Sequence, residues 1–283
     1  MADDNTQPIL IAVVADMHIN STVGLCPPVV TLDDGGSYHA SRAQLVVWSA
    51  WKEFWKDCVW KPAKKLKAKV WAVFNGDLND LNVHDGAGLI SGAESDIERA
   101  TLQVIEPIAD KADRLFFNRG TEAHTGKKAH LEEEIAANFD NTAWDEQGKD
   151  AKRATWDWLK LMAHDSLLDI AHHPCTSSRR MHTRDAAAER QAAETVMQYV
   201  HRHERVPDFV IRSHVHYFAR GGELAQGIFT PPWKLCDAFG HRIGASGAIE
   251  PVGGLVLVCR KGGECDWDVH RWWPKRKVVW TDS

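Results

Sequence analysis

Residues 69–80, KVWAVFNGDLND, decide the fold. The first seven form an almost unbroken apolar run rich in branched and aromatic side chains, the length of a strand buried on both faces. The run stops at Gly76-Asp77-Leu78-Asn79-Asp80. A buried strand with carboxylates at its exit is a candidate half-site, and the pattern recurs on either side. Upstream, ILIAVVA (residues 9–15) runs into Asp16 and His18; downstream, RLFFN (residues 114–118) runs into Arg119-Gly120-Thr121-Glu122-Ala123-His124. Between these strands, Leu45, Trp48, Trp55 and Val59 recur at helical spacing up to Pro62, and residues 97–112 read as helix. Strands alternating with helices require right-handed crossovers and a largely parallel sheet, whose carboxyl ends share one edge.

Further along, residues 127–139 read as helix and 140–153 as a polar, linker-like stretch. Residues 155–173 read as a hairpin turning at Ala163-His164-Asp165-Ser166, its second strand delivering His172 and His173. After a helix over 184–203, a buried strand at 207–212 ends in Ser213-His214-Val215-His216. Residues 255–259 and 266–272 flank a Gly-rich turn as a late β-hairpin, assigned to a second sheet. Residues 19–39 and 84–95 read as loops. With no repeat and no interdomain linker in the sequence, the chain reads as one domain over 1–283, with a core at about 9–218 and a hairpin and basic tail at 250–283.

At 283 residues the chain can bury about three-quarters of its unfolded surface, so a metal is not needed to hold it together. Any metal would serve chemistry. A formal charge of -5 argues against a surface that grips nucleic acid all round. The acidic start and the short apolar run at 9–15 give neither a secretory signal nor a membrane span, so the expected location is cytoplasmic. The six cysteines include no Cys-x-x-Cys pair, and in that compartment free thiols are expected even for Cys259 and Cys265, which face each other across the late hairpin.

Each polar exit is ordinary alone. His214 and His216, one residue apart, point to opposite faces of an extended strand and share a centre only if the backbone turns there. Together the exits are informative, because carboxylates and imidazoles crowded at one sheet edge are costly without a cation.

The ordered set resembles the calcineurin-like metallophosphoesterase superfamily, whose blocks are Asp-x-His, Gly-Asp-x-x-Asp, Gly-Asn-His-Asp/Glu, His, and Gly-His-x-His, each at a strand end. Asp16-x-His18 matches the first, Gly76-Asp77-x-x-Asp80 the second, His172 or His173 the fourth and His214-x-His216 the fifth. The resemblance implies an α/β fold, a four-layer α/β/β/α sandwich of two mixed sheets flanked by helices. It also implies two divalent metal ions, one held by Asp16, His18, Asp77 and His216, the other by Asp77, His172 and His214, with Asp77 as bridge. A carboxylate can bridge two cations, while neutral imidazoles bind them without adding negative charge. His172 is preferred to His173 because it stands two residues before Pro174, and Asp80 is expected to orient other groups.

The third block departs from the pattern. In one register Gly120 takes the tight turn, Thr121 the place of the asparagine ligand and Glu122 that of the catalytic histidine. In the other, Asn118 is the ligand and Arg119 replaces the histidine. In both, His124 is the candidate imidazole, to protonate the leaving group or complete the second metal site, and Arg119 is a candidate phosphate clamp. Ser213 replaces the glycine of the last block.

The implied activity is hydrolysis of a phosphate ester by a metal-activated hydroxide, with manganese expected and iron or zinc as alternatives. Residues 270–280 interleave Arg271, Lys275, Arg276 and Lys277 with Trp272, Trp273 and Trp280, which suit bases and phosphates and favour a phosphodiester in a nucleotide or nucleic acid. A phosphomonoester of a protein or metabolite is the second expectation, and a metal-binding scaffold without turnover the third.

Overall fold

The computed structural model describes residues 6–81, 88–146, 152–178, 180–236 and 250–274. In chain order the strands are β1 (Ile9–Val14), β2 (Val29–Thr31), β3 (Ser37–His39), β4 (Lys69–Asn75), β5 (Arg114–Asn118), β6 (Thr155–Trp156) and β7 (Leu159–Ala163). Then come β8 (Ser166–Ile170), β9 (Phe209–Arg212), β10 (Ala219–Gly221), β11 (Gln226–Phe229), β12 (Val252–Cys259) and β13 (Cys265–Trp272). The helices are α1 (Arg42–Glu53), α2 (Lys61–Leu66), α3 (Glu94–Ala109), α4 (Glu122–Thr125), α5 (His130–Ala137) and α6 (Arg184–His201).

Every residue of β1 is buried, as its unbroken apolar run predicts. It pairs in parallel with β4, Ile9 opposite Lys69 through Val14 opposite Phe74, and β5 and β6 extend the sheet in parallel. On its other side β1 pairs antiparallel with β12, which pairs with β13, so the six-stranded order is β13-β12-β1-β4-β5-β6. The second sheet has five strands in the order β10-β11-β9-β8-β7, also mixed.

Because successive strand residues face opposite ways, β1 serves two cores. Ile9, Ile11 and Val13 pack with Leu168, Ile170, Phe209 and Ile211 of the second sheet, so this core lies between the sheets. Leu10, Ala12 and Val14 pack instead with Trp51, Phe54, Val104, Ile108 and Ile135 beneath α1, α3 and α5. On the outer face of the second sheet, Ala188 and Val196 of α6 meet Ala219, Phe229 and Val210. The layers are therefore helix, sheet, sheet, helix.

Several expectations need correction. The late hairpin belongs to the first sheet, because β12 takes the free edge of β1. Cys259 and Cys265 form a disulfide: they stand directly opposite in the β12–β13 ladder with Cα atoms 4.1 Å apart. The first helix continues beyond Pro62, because residues Phe54–Trp60 widen into a π-helical stretch that leads directly into α2. A proline early in α2 removes a donor where the ladder has already been re-spaced. Leu45 lies on the exposed side of α1, whose buried stripe runs through Val47 and Trp51 and continues into Phe54 of the π-helical stretch. Residues 19–39 contain the β2–β3 hairpin. Within the expected hairpin over 155–173, Trp158 lies between strands β6 and β7 and is 44% exposed; its indole N–H donates to Asp169. Lys275, Arg276, Lys277, Trp280 and the start of the expected 84–95 loop, with His84, lie outside the described residues. Arg271 and Trp272 are in β13, where the Arg271 guanidinium lies 4.6 Å from the Phe218 ring centroid and Trp272 packs near Trp233. No described helix is long and apolar enough to cross a membrane.

Candidate metal centre

The centre forms where both sheets end: β1 and β4 of the first deliver Asp16, His18 and Asp77, and the exits of β8 and β9 deliver His172, His214 and His216. It is thus built at the meeting edge of two sheets, a step beyond the single parallel edge the sequence suggests. Backbone hydrogen bonds stitch the exits together: Asp16 N–H donates to Gly76 O, His18 N–H to Asp77 O and Ser213 N–H to His172 O.

Asp16, His18, Asp77, His214 and His216 all have positive φ, between 43° and 69°. Left-handed backbone is disfavoured for residues with a Cβ and tends to concentrate at functional sites. Here it has a visible result. Because the chain after β9 turns at His214 and again at His216, the two rings escape the opposite faces of an extended strand and both reach the centre.

Asp77 lies at the middle. Its Oδ2 is 3.1 Å from His172 Nε2, 3.9 Å from His18 Nε2 and 3.9 Å from His214 Nδ1, while Oδ1 accepts from Thr121 N–H at 2.5 Å. On one side Asp16 Oδ1 lies 3.3 Å from His216 Nε2, which is 3.1 Å from His18 Nε2. On the other side stand His172, His173 and His214.

Two features fit this donor set to metal ions. Asp16 Oδ1 and His172 Nε2 are buried and make no well-aligned hydrogen bond among the described residues; what each faces is another donor of the set, His216 Nε2 at 3.3 Å and Asp77 Oδ2 at 3.1 Å. The outer nitrogens of two rings are occupied: His172 Nδ1 is 2.7 Å from Asn75 O, and His18 Nδ1 is 2.8 Å from Asp80 Oδ1. Such outer partners fix the tautomer and aim the remaining nitrogen inward.

The electrostatics agree. Burial, reinforced by Lys234 and His216, pushes His18 down to about 4 despite Asp80, so its ring is the neutral, ligating form at pH 7. Burial also disfavours charge on His172, but the Asp77 and Asp16 carboxylates overcome it and raise the ring to about 9. In the metal-free protein this proton stands in for a cation. Burial opposes ionisation of Asp77, yet His172, His214 and His18 hold it well below the usual carboxylate range.

Of the two candidates in the third block, it is Thr121 whose side chain reaches the centre. Thr121 Oγ1 reaches Asp77 Oδ2 at 3.3 Å, His173 Nε2 at 3.1 Å and His214 Nδ1 at 3.2 Å. Asn118 is tied into the sheet floor, its amide donating to Asn75 Oδ1 and Ile170 O. Gly120 is required by contact, since a Cβ there would lie 2.2 Å from Asp77 N. His124 comes to the centre from α4. Its Nδ1 is 2.6 Å from Asp80 Oδ1, so one carboxylate oxygen holds both His124 and His18. Arg119 is not brought there: its Nε donates to Thr155 and its guanidinium lies 3.5 Å from Glu133 and from Asp157. Ser213 uses its hydroxyl, accepting from Asn75 Nδ2 at 2.6 Å, which gives a side chain a purpose where a glycine was expected.

Two participants escaped the sequence reading. Lys234 Nζ is 3.6 Å from Asp80 Oδ2. Glu132 is fully buried, accepting from Leu78 N–H at 3.1 Å and Gly120 N–H at 2.8 Å, and so ties the β4 exit to the β5 exit. Neither stands in a motif; Glu132 sits in a run of three glutamates that reads as a solvated helix face.

No family model matches the chain, and no curated protein matches it. Among solved structures, Vps29 of Chaetomium thermophilum aligns with a TM-score of 0.38 at 11% identity, covering 94% of this chain and 98% of that one. A conserved uncharacterized protein of Streptococcus pneumoniae, described as a predicted phosphoesterase, aligns with a TM-score of 0.35 at 10% identity, covering 93% and 97%. These are distant similarities, and the case for a metal centre rests on the side chains themselves.

Proposed function

We propose that the chain is a metal-dependent phosphoesterase. Asp16, His18, Asp77 and His216 would hold one divalent cation and Asp77, His172 and His214 the other. The observation that carries this reading is the position of Asp77 Oδ2, which faces imidazole nitrogens from both groups within 3.9 Å. When bound, two such ions supply an acidified water and charge to balance the phosphoryl oxygens. Mixed nitrogen and oxygen donors suit manganese first, with iron and zinc as alternatives, and suit calcium poorly.

The chain's own residues supply orientation and a proton. Asp80 fixes the His18 and His124 rings through one oxygen, and this hydrogen bond, against the effect of burial, raises His124 above the ordinary imidazole range. With Nδ1 held by Asp80, the His124 Nε2–H is the proton to give to the leaving alkoxide. Thr121 positions Asp77 through its backbone N–H and hydroxyl. Arg119, held by Glu133 and Asp157, would have to leave those partners to meet a phosphate, so we assign charge neutralisation to the metals.

A phosphodiester in a nucleotide or nucleic acid remains favoured on the basic, Trp-bearing composition of residues 270–280. Parallel assays of an aryl phosphate diester and the corresponding monoester, with added Mn, test both levels. Turnover of the diester is expected. Turnover of the monoester alone contradicts the diester preference, and tight metal binding with no turnover of either supports the scaffold reading in place of the enzyme.

A further inference from the structure

Around Asp77 the two halves of the centre are unequal. The half with His18 and His216 has a carboxylate of its own in Asp16. The half with His172 and His214 has only the shared Asp77, and Thr121 stands where the motif resemblance expects an amide ligand. A threonine hydroxyl is a weakly basic neutral oxygen and a poorer donor than imidazole to a borderline cation.

His173 stands beside that gap. Its Nε2 is 3.1 Å from Thr121 Oγ1, and its ring centroid is 4.7 Å from those of His172 and His214. Donor nitrogens of the three rings lie within 4.8 Å of one another, close enough to share one ion. His172 Nε2 is buried and faces the shared Asp77 Oδ2 at 3.1 Å, while its other nitrogen is occupied by Asn75 O. Pro174 disfavours helical backbone at His173. Ring nitrogens gathered this closely oppose one another's lone pairs or protons; a cation between them turns the opposition into attraction.

From this geometry we infer that His173 is a ligand of the second metal ion, supplying the donor that the third motif lacks and making that half a three-imidazole, one-carboxylate site. The inference rests on the two-metal reading above. It sets this chain apart from the resemblance, in which a single histidine comes from this strand exit.

The test is calorimetric titration of the metal-free 283-residue chain with Mn, comparing wild type, His173→Ala and His173→Phe. The phenylalanine keeps a ring packed on His172 and His214 but has no donor nitrogen, separating ligation from packing. Wild type is expected to take up two ions. Both variants are expected to keep one at unchanged affinity and to bind the other about 100-fold more weakly. Two ions at wild-type affinity in both variants, equal weakening of both sites, or loss in alanine but not phenylalanine overturns the inference and leaves the two-metal reading intact. A wild-type chain that takes up fewer than two ions overturns both.

Discussion

On the proposed reading, Asp77→Asn is expected to lower the rate of phosphoester hydrolysis by at least about 10³-fold, equivalent to about 4 kcal/mol of transition-state stabilisation. The substitution keeps the shape of the side chain and removes what the centre uses. An amide carries no charge and offers one oxygen; if that oxygen accepts from Thr121 N–H as Oδ1 now does, the NH₂ group points at His172, His18 and His214. A donor then stands where two cations would share an anion. Steady-state rates with an aryl phosphate diester in saturating Mn check the expectation, alongside metal content of the purified variant. Circular dichroism checks that the variant is folded, because the substitution takes from His172 the carboxylate that balances its proton in the metal-free protein. Activity within tenfold of wild type would show that Asp77 does not bridge metals during turnover.

Glu132→Ala is expected to produce the largest loss of stability. The carboxylate accepts from Leu78 N–H and Gly120 N–H, both beside the centre, and its removal leaves one buried and one partly buried donor without that partner. At about 1–3 kcal/mol for each stranded group, the total is about 2–6 kcal/mol, a large part of the stability of an ordinary domain. Urea denaturation measures it. Glu132→Gln should cost less, since one oxygen still accepts and only the amide NH₂ confronts a donor.

The same residue predicts a pH dependence. Burial, with Asp77 nearby, pushes Glu132 up to about 7 against the two backbone hydrogen bonds that favour its charge. Between the unfolded value near 4.5 and about 7 the folded chain binds the extra proton, so its contribution to stability is present in acid and lost as pH rises through that window. Metal-free wild type should therefore lose stability over this range relative to Glu132→Gln, which has no proton to release. Parallel curves for the two proteins would contradict the assignment.

What the sequence disclosed, and what it hid, follow from how each element is buried. β1, β4 and β5 lie in the sheet interior, so their runs are apolar between their ends and legible without neighbours. β10 and β11 are three and four residues long and include glycine, too short to show a period. The late hairpin was legible as a hairpin, but nothing in an antiparallel strand states which sheet's edge it will take, and the edge of β1 was open. At the site, Asp16, His18, Asp77, His214 and His216 stood out because strand exits place them in order along the chain. Arg119 was conspicuous by residue type, yet its partners Glu133, Thr155 and Asp157 come from segments whose approach depends on the whole fold. Glu132 was hidden for the opposite reason: a glutamate among glutamates looks solvated until α5 is packed against the β4 and β5 exits.

Anomalous diffraction from crystals of the wild-type chain grown with excess MnCl₂, recorded near the manganese edge, tests the account most directly. Two anomalous peaks are predicted on either side of Asp77, each in contact with its carboxylate, one beside Asp16, His18 and His216 and the other beside His172 and His214. A map with no peak among these residues, or with manganese only at the protein surface, contradicts it.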